Sequence, residues 1–137
     1  MSTIKANTLS AVSSNTSITI DGNGTGGVTS GKRVKNAQTG TTYTLVLADA
    51  GKVITMSNGS AQTLTIPPNS SVAFPVNCQI DIINKGAGVT SVTGGTGVTL
   101  NGVSTGTGAL DGQYKAVTII QDAANSWIMM GGHGTVE

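Results

Sequence analysis

The chain has 137 residues, 9% of them charged, and a net charge of +1, where ordinary globular proteins carry roughly 25% charged residues. That length accommodates one hydrophobic core with an arm attached, and so even a charge balance gives no broad field to draw nucleic acid or an anionic membrane. No run approaches the ~18 apolar residues of a membrane span, and Met1 to Lys5 leads into no apolar secretory stretch, so neither nucleic acid nor membrane is expected as a partner.

Strong helix formers are scarce: there are six Leu, and the only Glu is the last residue, Glu137. Thr, Val and Ile dominate and favour strands. The expectation is an all-β chain: a compact antiparallel β-sandwich or barrel, jelly-roll or tulip-like, over residues 41–132. It carries an extended Gly/Ser/Thr-rich N-terminal arm over 1–40 and a short tail over 133–137. With little net charge to keep copies apart, self-association is expected.

In chain order, Ser17-Ile18-Thr19-Ile20 alternates like a strand and runs into the turn Asp21-Gly22-Asn23-Gly24. In Thr42 to Leu47, Tyr43, Leu45 and Leu47 share one face of a predicted strand. Asp49-Ala50-Gly51 then turns the chain into Lys52 to Met56. Asn58-Gly59, the preferred type I′ pair, predicts a hairpin into Gln62 to Ile66, which Pro67-Pro68-Asn69 stops. Cys78 to Ile83 reads as a strand closed by Asn84-Lys85-Gly86, with shorter pieces at Val89 to Thr93 and Val98 to Leu100. Ala116 to Ile120 and Trp127 to Met130 are apolar on both faces, joined by Asp122-Ala123-Ala124-Asn125. A cover for both faces is therefore expected, supplied by a neighbouring subunit or by a central position in a two-layer sandwich.

Motifs of chemistry fall short of their requirements. Gly26 to Arg33 meets G-x-x-x-x-G-K but has Arg33 where Ser or Thr would hold magnesium, and no helix pattern follows. Gly22-x-Gly24-x-x-Gly27 lacks a βαβ setting. Of the carboxylates a glycosidase would pair, Asp21, Asp49, Asp111 and Asp122 sit in turn contexts and the fifth is Asp81. His133 is the only histidine and lies on a Gly-rich tail. One histidine and no cysteine pair leave nothing for zinc, so no catalytic residue, cofactor or metal is expected. Cys78 reads as a small buried hydrophobe, and Trp127 and Tyr114 as core fillers that would stack on sugars only if exposed.

Lys32, Arg33 and Lys35 form the one concentration of charge. They read either as a contact for an acidic partner or as a solvated strand edge. Val117, Ile119, Trp127, Ile128, Met129 and Met130 are the candidates for a subunit interface or for core.

The stretch TYTLVLADAGKVITM…AQTLTIPPNSSVAFPVNCQIDIINKGAGVTSV, followed by AVTIIQDAANSWIMMGG, resembles a module of tailed-phage surface proteins, found in fibres, spikes and head-decoration proteins. The likeness covers residues 41–130 and is most specific from Ile66 to Val76 with Gln79-Ile80; the opening MSTIKANTL is similar to the starts of cyanophage fibre-like proteins. The resemblance implies a homotrimer on the outer surface of a virion, without cofactor. Only about 40 residues precede the module, which fits a capsid decoration (cement) protein on the major capsid protein better than a long fibre. A tail-fibre or tail-tip module that contacts a host surface receptor through loops near Gly94 to Gly108 is the alternative.

Overall fold

A computed structural model describes residues 33–132 and 136–137. Their strands are β1 (Lys35–Gln38), β2 (Thr42–Thr44), β3 (Val53–Met56), β4 (Gln62–Ile66), β5 (Gln79–Asn84), β6 (Thr90–Gly94), β7 (Thr99–Leu100), β8 (Val103–Ser104), β9 (Thr107–Leu110), β10 (Ala116–Ala123) and β11 (Ser126–Gly131). They form two sheets, ordered β1-β3-β5-β10-β11-β7-β8 and β2-β4-β6-β9. The expected all-β, two-layer architecture is present. The expected arm strand at Ser17 to Ile20, with Lys32 and His133, lies outside the described residues.

Strand direction differs from the antiparallel expectation. Each of the pairs β1–β2, β3–β4 and β5–β6 places one strand in each sheet, and these three coils stack in parallel through β1–β3–β5 and β2–β4–β6. The chain then returns in antiparallel through β9, β10 and β11. The cause is visible at Asn58-Gly59. A type I′ turn needs positive φ at both residues, and neither residue adopts it. The pair instead arches from one sheet to the other, and the Asn58 amide donates to the Thr39 carbonyl of the arch below at 2.7 Å. The arch above must sit directly on this one. A Cβ on Gly86 would lie 2.0 Å from the Asn58 carbonyl oxygen, and one on Gly88 would lie 1.9 Å from that of Ser60, so only glycine allows the coils to close. Among the described residues, the two-residue hairpin forms at a different Asn-Gly pair, where Asn101 (φ 50°) and Gly102 (φ 80°) join β7 to β8.

Alternation drives packing. In β4 and β6 the odd and even residues part cleanly, Gln62, Leu64 and Ile66 facing inward with Thr90 and Val92. The core between the sheets is a single cluster that includes Leu45, Ile54, Ile80, Ile82, Leu110, Val117, Ile119, Trp127 and Met129. Trp127 packs edge-on against Phe74, with ring centroids 5.4 Å apart. Cys78 is a buried free thiol whose burial pushes its pKa up, as its sequence context predicts.

The first coil is closed by polar groups. In register with Ile54 and Met56 it has Asn36 and Gln38, tied to each other at 2.7 Å. Asp49, fully buried, accepts from the Tyr43 hydroxyl at 2.7 Å, from Asn36 Nδ2 at 2.9 Å and from the Val46 N–H at 3.0 Å. A stack of coils needs such a terminal cap to keep its last apolar layer from water. The same carboxylate bends the chain after Thr44 into a 3-10 turn over Leu47–Asp49. Leu47, expected to share the inner face, therefore stands 54% exposed.

The domain boundaries also shift. β1 is hydrogen-bonded into the larger sheet, so the fold begins before residue 41. At the other end the Glu137 and Thr107 backbones exchange both hydrogen bonds, and Val136 packs on the core, so the last residues cover the β9 edge instead of trailing away. Tyr114, expected in the core, sits at φ 66° in the turn before β10 and is 70% exposed.

Candidate interaction surface

The two outer faces differ in chemistry. The smaller sheet presents two rows of small, mostly hydroxyl-bearing groups, Thr42–Thr63–Ser91–Ala109 and Thr44–Thr65–Thr93–Thr107. The larger sheet presents a mixed face in which large apolar groups take part. Its rows follow the ladder registers: Ala37–Thr55–Ile83–Ala116, then Lys35–Val53–Asp81–Thr118–Met130, then Gln79–Ile120–Ile128. Ile128 is 41% exposed and Met130 45% exposed.

One carboxylate lies within this face, and its charge is matched. Asp81 forms an ion pair with Arg33 and accepts from the Thr118 hydroxyl at 2.7 Å. Arg33 also donates to the carbonyls of Gly51 at 2.9 Å and Lys52 at 3.1 Å. Beside Asp81 the surface dips into a hollow of about 300 Å³ whose lining includes Val53, Ile83, Ala116, Thr118 and Met130. A second hollow of about 500 Å³, with Arg33, Pro75 and Cys78 in its lining, opens at the end of β5. The raised pKa of Cys78 keeps the thiol protonated near neutral pH and so a poor nucleophile.

The candidate residues separate by parity. Val117, Ile119, Trp127 and Met129 lie in the core, whereas Ile128 and Met130 face outward. A central place in the sandwich therefore covers β10 and β11 on one side, while the outer side has no cover among the described residues. Of the basic candidates, Arg33 is committed to Asp81 and two carbonyls, and Lys35 is exposed on edge strand β1. Val53, Ile83 and Ile120 join the surface without having been singled out from sequence. The signal was there in the doubled apolar residues Ile82-Ile83 and Ile119-Ile120, because neighbours on a strand face opposite ways.

The other carboxylates have their own surroundings. Asp49 belongs to the cap and Asp122 is exposed. Asp111 pairs with Lys115, whose hydrogen bond and charge hold its carboxyl below the usual range. Among the described residues no group of three or more His, Cys, Asp or Glu is placed to hold a metal ion. The stretch from Gly94 to Gly108 contains β7 and β8, and Val98 and Leu100 within it are core residues. Its turns, at Thr96-Gly97, Asn101-Gly102 and Ser104-Thr105, face solvent.

Comparison of the chain with protein-family models and with curated proteins finds no match. The class that the fold and surface define, over the described residues, is a two-sheet β-protein of stacked coils whose larger sheet has a partly apolar outer face that no described residue covers.

Proposed function

We propose that the chain is a structural protein of a tailed-phage virion, a capsid decoration protein that sits as a trimer on the major capsid protein and stabilises the head shell. The observation that carries the reading is the outer face of the larger sheet, apolar and nearly free of unmatched charge, which suits permanent contact better than solvent. The likeness of residues 41–130 to phage surface modules adds to it. Binding to the assembled shell and not to its separated parts would raise shell stability by mass action. Particles lacking the protein should then release their genome at a lower temperature than complete ones; equal heat resistance would refute cementing.

A second reading, a tail-tip module that contacts host glycan, is favoured by Tyr114, whose ring stands exposed on a turn and could stack on a sugar. Tyr114→Ala should abolish cell binding by the purified protein if that reading is right, and leave particle stability unchanged.

A further inference from the structure

The turn that carries Tyr114 is braced from beneath. Asn84, fully buried at the end of β5, donates its side-chain amide to the carbonyls of Gly112 at 3.2 Å and Leu110 at 3.3 Å, and its backbone carbonyl accepts from the Tyr114 N–H at 2.6 Å. The Asn84 N–H reaches the Lys115 carbonyl at 2.9 Å, and the Gln113 side chain reaches the Lys85 carbonyl at 2.9 Å. Every residue from Gly112 to Lys115 is thereby tied to Asn84 or Lys85, so the turn is held in one shape before any ligand arrives.

On this brace the Tyr114 backbone is left-handed, with φ 66°, a conformation that a bulky residue adopts only at a cost. Asn77, Asn101 and Asn125, which share it, are the residue type that tolerates it, and Thr105 there bonds its hydroxyl to the Ser104 carbonyl at 2.7 Å. The Tyr114 ring has no such return: it is 70% exposed, and no described residue bonds its hydroxyl. Strain kept at an exposed, braced side chain marks a place where something binds. We infer that the Asp111–Lys115 turn is a carbohydrate contact, with the Tyr114 ring stacked on the apolar face of a pyranose. The rest of the turn sets that class of ligand. Asp111 and Lys115 offer a carboxylate and an ammonium group for sugar hydroxyls, and the turn has no apolar side chain to surround the tyrosine as at the centre of a protein contact. The inference rests on the sugar reading above, assigns it to a built turn, and holds whether the chain sits on head or tail.

Binding of the purified full chain to immobilised oligosaccharides, one set of neutral hexoses and one of uronic acids, tests this. The wild type should bind within at least one set, and Tyr114→Asn should weaken that binding by ~10-fold or more, the loss that follows removal of an aromatic anchor. Tyr114→Phe keeps the ring and should bind within ~3-fold of the wild type. Thermal unfolding is the second readout. Because asparagine suits a left-handed backbone, Tyr114→Asn should melt at the wild-type temperature or above it, whereas a ring kept for the fold would show as a lower melting temperature.

Sugar binding that survives Tyr114→Asn, or a lower melting temperature for that variant, would overturn this turn yet leave the sugar reading standing. A wild type that binds neither set would overturn both. Attachment to cells that is lost when the cells are treated with protease, and kept when their sugars are oxidised with periodate, would name a protein partner and overturn the inference too. Sugar binding by a chain that attaches to no cell would refute the tail-tip reading alone and support the turn.

Discussion

Asp49 shows how one residue type takes a role from its neighbours. In sequence it sits beside Ala50-Gly51 like any turn aspartate, yet its carboxylate is fully buried and accepts from three donors. Asp49→Ala would leave the Tyr43 hydroxyl, Asn36 amide and Val46 N–H without that acceptor, and should cost roughly 3 kcal/mol in denaturant unfolding. The same contacts act on Tyr43. Burial first, then the hydrogen bond and charge of Asp49, push its pKa up to about 12 from 10.0. A group whose folded pKa is raised contributes stability that is whole below its unfolded pKa and is lost as pH climbs toward the folded one. Stability should therefore decline between pH 10 and about 12, and Tyr43→Phe should flatten that decline in unfolding curves measured across the range.

Glycine offers a matched pair of tests. Gly88→Ala drives a methyl into the Ser60 carbonyl and should cost roughly 2 kcal/mol or more, since backbone must shift to admit it. A methyl on Gly59, in the arch below, would meet nothing within 4 Å, and Gly59 has no positive φ. Gly59→Ala should stay within about 0.5 kcal/mol of the parent. Equal losses would mean that the arches do not stack as described.

Among the elements, the two Asn-Gly pairs within the described residues mark the limit of local reading. Both carry the same hairpin signal, but only Asn101-Gly102 makes the turn, because its flanking strands pair with each other. At Asn58-Gly59 the flanking strands belong to different sheets. The Asn101 side chain also holds β11, accepting from the Met129 N–H at 2.7 Å and donating to the Met129 carbonyl at 3.1 Å. Asn101→Ala should therefore cost about 2 kcal/mol, combining a left-handed backbone without its preferred residue with lost side-chain bonds. Asn58→Ala should cost nearer 1 kcal/mol. Comparing the two melting curves separates a hairpin from an arch.

Most strands were legible from alternation and punctuation. β4 ends at Pro67 as expected, and β10 and β11 appear with their turn. β1, β8 and β9 were not, because Lys35–Gln38 carries no apolar alternation and Thr107–Leu110 is interrupted by Gly108, whose lack of a side chain makes room for Met129.

At the scale of the molecule, the polar cap on the first coil and the Glu137 backbone on β9 protect two ends of the fold, while one broad face stays apolar. Few charges were available to cover it. Ile128→Glu is expected to shift unfolding by less than about 0.5 kcal/mol, measured where the chain is dilute.

The sequence by itself determined that this protein would be built of strands, that Cys78 and Trp127 would be interior, and that β10 and β11 would be apolar on both sides, because β-branched composition and period-two alternation act within a few residues. Tertiary structure decided which strands run parallel, which Asn-Gly pair turns back, and which apolar side of β10 and β11 is covered. Those outcomes depend on pairing between segments up to dozens of residues apart, where the same local pattern fits more than one partner.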